Sequence, residues 1–292
     1  MPAMRYIPAL LLIAVLLVPC LAAIAEDLHK PQLYDHNGMA VDPLCFLSNI
    51  GTEDAPVYPT AHCVGPEISG IGESVLDEAR FVSSGYRSAI YDEDAGETFS
   101  YHGFIGYRAI GQVEYEGGNY LAMVLIENGG GSGIFSTIML VHPTINPDDQ
   151  TMTFRLIATL SSGDRCMGGY ADAWVDDGDL YYRVETTMAD MMTYTGDPQR
   201  DILDSDAAKS LPYCASCCYA QAEYSAEEFR GMFFPQDRSQ PSTYSSEAEI
   251  CVENLVQAKT AGGEQAYLGA EDFGFFTDEI ERICLGREGK GE

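Results

Sequence analysis

The sequence predicts an α+β protein whose antiparallel β-rich core forms a barrel, a sandwich or a propeller-like meander, followed by a small disulfide-stapled helical region. Three observations predict this class. Short apolar segments joined by tight turns fill residues 81–195, helix start signals appear in residues 196–292, and most of the cysteines fall in that same C-terminal part. No repeat of fixed period is present in the sequence, so a complete propeller is not supported.

Residues 1–25 carry the pattern of a cleavable export signal. Arg5 is the only charge before an apolar run over residues 9–18, and residues 23–25 (Ala-Ile-Ala) place small side chains where a signal peptidase reads them. The apolar run is about half as long as the roughly 20 residues that a membrane-spanning helix needs. We therefore expect cleavage before Glu26, an exported product that is periplasmic or secreted, and a mature chain without a transmembrane segment.

Cys20 stands where a bacterial lipoprotein carries its lipidated cysteine. Lipoprotein signals place a small residue directly before that cysteine, whereas this sequence has Pro19 there. The sequence therefore favours a cysteine inside a discarded signal over a lipid anchor.

Acidic residues outnumber basic residues by 45 to 16, which gives a formal net charge of -29 at pH 7. Such a charge repels the phosphates of nucleic acids and of anionic lipids, so neither is an expected partner. It favours a cationic protein or peptide, or metal ions. The alternative is an acidic surface that only keeps the chain soluble, for instance in a salty habitat that screens the repulsion.

Residues 26–80 are predicted to be an irregular N-terminal segment, because proline and glycine are scattered through them. The segment would wrap a core made elsewhere in the chain. A disulfide between Cys45 and Cys63 would close a loop within it.

Residues 81–195 are predicted to form the antiparallel β domain. Residues 121–126 are apolar on both faces, as in a fully covered strand, and residues 134–141 are similar. Residues 154–160 alternate between apolar and polar side chains, which is typical of a half-buried strand.

The clearest local pattern in this domain is a β-hairpin. Asp177-Gly178 is a preferred two-residue turn, and it separates two strand-like segments. Trp174 and Tyr181 lie near one another on this hairpin. We interpret them as core residues, with a ligand-stacking surface as the alternative.

Residues 196–292 are predicted to hold a cysteine-rich linker and C-terminal helices. Ser225 precedes two acids and is one candidate helix start, since acids are favourable there. Ser246 with Glu249 three residues later forms a capping box that opens a second helix, which Gly262-Gly263 would end. Its predicted buried side chains are Ile250, Cys251, Leu255 and Ala258.

A last helix is predicted over residues 270–285, with Phe273, Phe276, Ile280 and Cys284 on one face. Cys251 of the preceding helix and Cys284 would then meet at the interface of the two helices.

Eight cysteines remain once Cys20 leaves with the signal, and this even number in an exported chain predicts up to four disulfides. With Cys45–Cys63 and Cys251–Cys284 paired, Cys166 would bond to one of the other three. The remaining two would pair with each other or with a partner. The candidates are Cys45, Cys63, Cys166, Cys214, Cys217, Cys218, Cys251 and Cys284. The C-x-x-C spacing at residues 214–217 would indicate zinc or a redox site in a reducing compartment, but export favours structural disulfides.

Motifs for catalysis and for metal binding are weak. The glycine run at residues 128–133 misses the G-x-S-x-G elbow because Ile134 stands where its last glycine belongs, so we interpret the run as a turn. The five histidines show no zinc-hydrolase spacing. Three aspartates are weak calcium candidates that turns or helix starts explain more simply: Asp201, Asp204 and Asp206. No catalytic residue can be nominated and no cofactor is predicted.

These features together favour an exported, soluble, disulfide-containing protein without catalytic activity. The expected role is that of a binding, inhibitor or immunity-type protein for a cationic partner. Two alternatives stay open: an extracytoplasmic hydrolase acting on cell-envelope material, and a structural envelope component.

Overall fold

A computed structural model describes residues 42–44, 46, 57–59, 81–92, 96–145, 152–194, 206–235, 246–261 and 266–286. The predicted export signal, most of the irregular segment, the Cys45–Cys63 pair, and Asp201 and Asp204 lie outside these residues. Asp206 begins a short helix in the described part.

Eleven strands and four helices make up the described fold. The strands are β1 Val57–Pro59, β2 Val82–Asp92, β3 Glu97–Tyr115, β4 Gly118–Asn128, β5 Phe135–Ile145, β6 Met152–Asp164, β7 Tyr170–Asp176, β8 Asp179–Thr186, β9 Ala220–Ser225, β10 Glu228–Phe234 and β11 Ala266–Gly269. The helices are α1 Met188–Met191, α2 Asp206–Lys209, α3 Glu247–Thr260 and α4 Ala270–Cys284.

The strands form two antiparallel sheets. The six-stranded sheet has the order β1-β6-β5-β4-β3-β2, and the five-stranded sheet has the order β11-β10-β9-β8-β7. Among the described strands neither sheet closes on itself. The predicted β-rich antiparallel core is therefore confirmed, and the closed barrel among its alternatives is wrong.

Tight turns join neighbouring strands where the sequence supplies residues that tolerate positive φ. Asp177 and Gly178 have φ values of 50° and 88°, which matches the predicted hairpin between β7 and β8. Ser225 does not start a helix. It ends β9, and Ala226, with φ 50°, turns the chain into β10.

The six-stranded sheet carries buried side chains on both faces. On β4, Met123 and Leu125 pack in a cluster with Phe46, from the N-terminal segment. Val124 and Ile126 point to the opposite face and join the larger core shared with the second sheet. This two-sided burial confirms the prediction of a fully covered strand over residues 121–126.

The five-stranded sheet packs one face into that larger core. On β8 the alternate residues Leu180, Tyr182 and Val184 are buried, in a pattern with period two. Helix α4 adds Phe273 and Phe276 to the same core. The two sheets and the C-terminal helices thus share one continuous apolar interior.

The C-terminal part of the chain is less helical than predicted. Strands β9, β10 and β11 all lie beyond residue 195 and extend the sheet begun by β7 and β8. On β9, Ala220 and Ala222 are buried while Gln221 and Glu223 point to the other face. Alanine and glutamate favour helices by intrinsic propensity, but pairing with β8 and β10 overrides that preference.

Helix α3 begins as predicted, because the Ser246 hydroxyl accepts a hydrogen bond from the backbone N–H of Glu249. Its predicted buried face is right only in part, since Leu255 packs against the core and Cys251 is half-buried, whereas Ile250 and Ala258 are exposed. Ile250 is 46% exposed, and the buried residues of the helix are Ala248, Glu249, Val252, Glu253 and Val256. The reason is visible at Glu253, which accepts hydrogen bonds from the Tyr219 hydroxyl at 2.7 Å and the Gln257 amide at 2.8 Å. A satisfied carboxylate can lie inside, so counting apolar residues alone misplaces the face.

Helix α4 occupies Ala270–Cys284, in agreement with the prediction for residues 270–285. Phe273, Phe276 and Ile280 are buried. Cys284 lies at disulfide distance from Cys251, and the two Cα atoms are 5.5 Å apart. This agrees with the prediction that the two cysteines meet at the interface of the helices.

A cluster of buried tyrosines predicts alkaline sensitivity. Tyr182 and Tyr224 stack with ring centroids 5.2 Å apart, and burial raises the pKa of both hydroxyls above the ordinary value of 10.0. In the unfolded chain these groups ionise near pH 10, whereas in the folded protein they keep their protons. Their contribution to stability is therefore fully present below pH 10 and is lost as the pH rises above it.

We expect the free energy of unfolding to fall above pH 10 by up to about 1.4 kcal/mol per pH unit for each of the two residues. Urea denaturation at a series of pH values measures this slope. Tyr224→Phe should make the slope shallower, while Tyr213→Phe, at a side chain that is 60% exposed, should not. Equal slopes in the wild type and in Tyr224→Phe would contradict the assignment.

Candidate functional site

The face of the five-stranded sheet opposite the core carries a group of six side chains, which we call the ladder face. They form three pairs that lie directly opposite each other on neighbouring strands. The pairs are Trp174 with Tyr181, Arg183 with Glu223, and Phe233 with Tyr267.

Strand alternation places these six residues together. Their chain neighbours Ala173, Tyr182, Ala222 and Met232 are buried in the core, so the intervening side chains point to the other face. Phe233 is buried, and Tyr267 is 44% exposed. The other four side chains are half-buried. The ladder face therefore combines a fixed arrangement with access to solvent at Tyr267.

Aromatic rings and a guanidinium group are layered along this face. The Trp174 and Tyr181 rings are stacked, with centroids 5.8 Å apart and an interplanar angle of 10°. The Cζ atom of Arg183 lies 5.2 Å from the Trp174 ring centroid and 4.5 Å from that of Phe233. Both distances are within the range of cation–π attraction.

Glu223 anchors the charged part of the ladder face. The Nε and a terminal nitrogen of Arg183 donate to Glu223 Oε2 at 2.8 Å and 2.7 Å. The two side chains retain 25% and 13% of their exposure, so water only partly screens the pair. This contact fixes the Arg183 guanidinium between Trp174 and Phe233.

Tyr267 joins the same network through a hydrogen bond with Glu223, and its ring lies over Gly231 of the neighbouring strand. Burial, together with the charge of the Glu223 carboxylate and its hydrogen bond, raises the pKa of Tyr267 to about 12. A Cβ atom at Gly231 would lie 2.8 Å from the Tyr267 hydroxyl oxygen, so the ring needs a residue without a side chain beneath it.

The structure does not place Trp174 and Tyr181 in the core, where they were predicted to lie. We interpreted them as core residues, but they lie on the face opposite the core, as in the alternative of a ligand-stacking surface. Arg183, Glu223, Phe233 and Tyr267 were not predicted as site residues. Three of these four lie on β9, β10 and β11. These segments were predicted to belong to the linker and the helices, so the sequence did not predict the cross-strand pairs that these residues form.

A second group of interest is the cysteine cluster. Cys166 and Cys218 lie at disulfide distance, as do Cys214 and Cys217, with Cα–Cα separations of 4.5 Å and 5.4 Å. These are the pairings left open by the sequence. The C-x-x-C segment forms a turn that leads into β9 and opens no helix, unlike a thioredoxin-type active site.

The glycine run at residues 128–133 forms the loop between β4 and β5. The Asn128 side-chain amide donates to the carbonyl oxygens of Gly131 and Gly133, and its oxygen accepts from the backbone N–H of Gly130 at 2.8 Å. Gly130 has φ 94°, which explains a glycine at that position. The loop is a turn organised by one asparagine.

The described part of the chain contains neither a group of metal-binding side chains nor a membrane-spanning helix. Within it, no three His, Cys, Asp or Glu side chains are grouped so as to hold a metal ion. No helix in the same residues is long and apolar enough to cross a membrane. The calcium candidates Asp201 and Asp204 fall outside the described residues and stay predictions. No protein-family model, curated protein or solved structure matches the chain.

Proposed function

We propose that the protein is a non-catalytic binding protein for a cationic polypeptide, and that the ladder face is its binding surface. One observation supports this most directly. The ladder face presents four aromatic rings beside the Glu223 carboxylate, and its guanidinium group, that of Arg183, already lies against this carboxylate.

The local chemistry suits lysine and arginine side chains. Aromatic ring faces attract cations, and carboxylates form charge-assisted hydrogen bonds with them. The two cations beside Tyr267, Arg183 and Arg230, are offset by Glu223 and by Glu228, whose carboxylate lies 3.3 Å from Arg230. A basic partner therefore meets little repulsion at this face.

The charge of the whole chain supports the same partner class. A formal net charge of -29 creates a negative potential that speeds the approach of a basic polypeptide and slows that of an acidic one. Surface charges of this kind act over a Debye length of about 8 Å at physiological salt. Binding should therefore weaken as the salt concentration rises.

The experiment uses the only tryptophan of the chain, Trp174, as a reporter on the proposed surface. Its fluorescence is followed while a lysine- and arginine-rich peptide, a basic lysozyme or a matched acidic peptide is added to the full chain. We expect a saturable change with the basic probes, none with the acidic peptide, and weaker binding at high salt.

Variants distinguish binding at the ladder face from a general attraction of basic polypeptides to an acidic protein. Glu223→Gln should weaken binding roughly tenfold, because one charged hydrogen bond contributes about 1.5 kcal/mol or more. Tyr267→Ala should weaken binding as well. Glu271→Gln removes the same charge from an exposed position in the first turn of α4 and should leave the affinity unchanged. Equal losses in Glu223→Gln and Glu271→Gln, or binding that ignores salt, would overturn the proposal.

The proposed role includes export. An acidic protein that captures basic polypeptides meets them outside the cytoplasm if residues 1–25 are removed during secretion. Mass spectrometry of the mature N-terminus tests this. A chain that starts at Glu26 supports export without an anchor, a lipidated Cys20 supports export with a lipid anchor, and an intact Met1 contradicts export.

A further inference from the structure

Two disulfide pairs meet in one short segment of the chain, and they differ in exposure. Cys214 is exposed, and its partner Cys217 is three residues away. The adjacent Cys218 is paired with Cys166, which is only 2% exposed. An external thiol can reach the first pair, in which Cys214 is exposed and Cys217 half-buried, whereas in the second pair Cys218 is half-buried and Cys166 is shielded by packing.

We propose that Cys214–Cys217 is a thiol–disulfide exchange site, reduced by a protein dithiol, and that Cys166–Cys218 is the structural disulfide that holds the segment in place. The proposal concerns a part of the molecule other than the ladder face and stands independently of the binding role.

The two sulfur atoms of the proposed site have different surroundings. The Ser216 hydroxyl lies 3.6 Å from Cys214 Sγ, within hydrogen-bonding range of a sulfur acceptor. Cys217 Sγ lies 3.0 Å from the carbonyl oxygen of Cys214. A hydroxyl donor stabilises a thiolate, whereas a carbonyl oxygen favours a protonated thiol. Cys214 is therefore the sulfur that leaves as a thiolate, and Cys217 is the one that ends as a thiol.

The exchange follows from this asymmetry. One thiolate of the dithiol attacks Cys217 Sγ, the bond between Cys217 and Cys214 breaks, and Cys214 departs as a thiolate that accepts the Ser216 hydrogen bond. The second thiol of the dithiol loses its proton to solvent. The resulting thiolate attacks the first sulfur of the dithiol, which is bonded to Cys217 in the mixed disulfide. Cys217 is released and takes up a proton. The dithiol is oxidised to a disulfide, and Cys214–Cys217 is reduced by two electrons.

The surrounding structure makes the two disulfides differ in reactivity. The turn at residues 214–217 is closed by a backbone hydrogen bond from the Cys217 N–H to the Cys214 carbonyl at 3.1 Å, and the carbonyl of Ala215 accepts a longer one from the Cys166 N–H at 3.5 Å. Cys166 follows Arg165, whose carbonyl accepts from the N–H of Gly169 at 2.8 Å in a tight turn between β6 and β7. Opening Cys166–Cys218 requires that turn to move.

The test is partial reduction of the native full chain with dithiothreitol, followed by alkylation with iodoacetamide and peptide mass spectrometry. We expect Cys214 and Cys217 to be alkylated roughly tenfold faster than Cys166 and Cys218, because access controls the exchange rate. The Cys251–Cys284 pair is an internal comparison. Reduction of Cys166–Cys218 first, or of all pairs together only when the protein unfolds, overturns the proposal.

Ser216 provides a second readout, since it acts as a positioning residue for the Cys214 thiolate. In the reduced protein, Ser216→Ala should move the pH at which Cys214 becomes reactive toward iodoacetamide upward, and Ser216→Thr should restore it. An unchanged pH profile in Ser216→Ala contradicts the assigned polarity. Loss of both variants to misfolding would show instead as faster alkylation of the buried Cys166.

Discussion

Phe273→Ala is expected to lower the free energy of unfolding by about 3–5 kcal/mol. Phe273 is fully buried, and its ring lies 5.9 Å from the Phe229 ring and 6.5 Å from the Phe234 ring, measured between centroids. Truncation removes one of the side chains that join α4 to the five-stranded sheet and leaves a cavity in the core. Urea denaturation followed by circular dichroism measures the loss.

Phe275→Ala is the matched control for this substitution. Phe275 lies two residues away on the same helix, and its side chain is 67% exposed. Its truncation should change stability by no more than about 0.5 kcal/mol, as is usual for surface positions. If the two variants lose equal stability, α4 does not pack against the sheet through Phe273.

Removal of the Cys166–Cys218 disulfide, by Cys166→Ala with Cys218→Ala, is expected to cost about 4 kcal/mol. The two cysteines are separated by 52 residues, so their bond restricts a long loop in the unfolded chain. Cys166 is buried, and alanine replaces it without introducing a polar group. The measurement is thermal or urea unfolding of the oxidised proteins.

The neighbouring pair supplies the comparison. Cys214→Ala with Cys217→Ala opens a loop with a separation of three residues, for which the same chain-entropy argument gives about 2 kcal/mol. The larger loss should therefore follow the longer loop. A greater loss from the short loop would show that native packing around the turn outweighs chain entropy.

Local patterns in the sequence predicted the elements that depend on neighbouring residues. The hairpin at Asp177-Gly178, the Ser246 cap and the last helix all follow from turn chemistry, capping or helical spacing within a few positions. Strand β4 was also predicted, since an apolar run of this length needs cover on both faces. These elements are stabilised by interactions that the local sequence specifies.

Elements that depend on distant partners were missed. Strand β9 contains the helix-forming sequence Ala-Gln-Ala-Glu, and only its pairing with β8 and β10 makes it a strand. The buried face of α3 was predicted only in part for a similar reason. Glu253 is acceptable inside because Tyr219, 34 positions earlier in the chain, donates a hydrogen bond to it.

The sequence by itself determined the antiparallel β-rich class, the last helix, the start of the helix before it, the acidic charge and the proximity of Cys251 to Cys284. It also drew attention to Trp174 and Tyr181. Only the tertiary structure decided that the sheets remain open and that these two rings lie away from the core. The same holds for the ladder face as a whole, because Arg183 meets Trp174, Phe233 and Glu223 through strands that are distant in sequence. Periodicity specifies which side chains share a face of one strand, whereas strand order and register specify which faces meet.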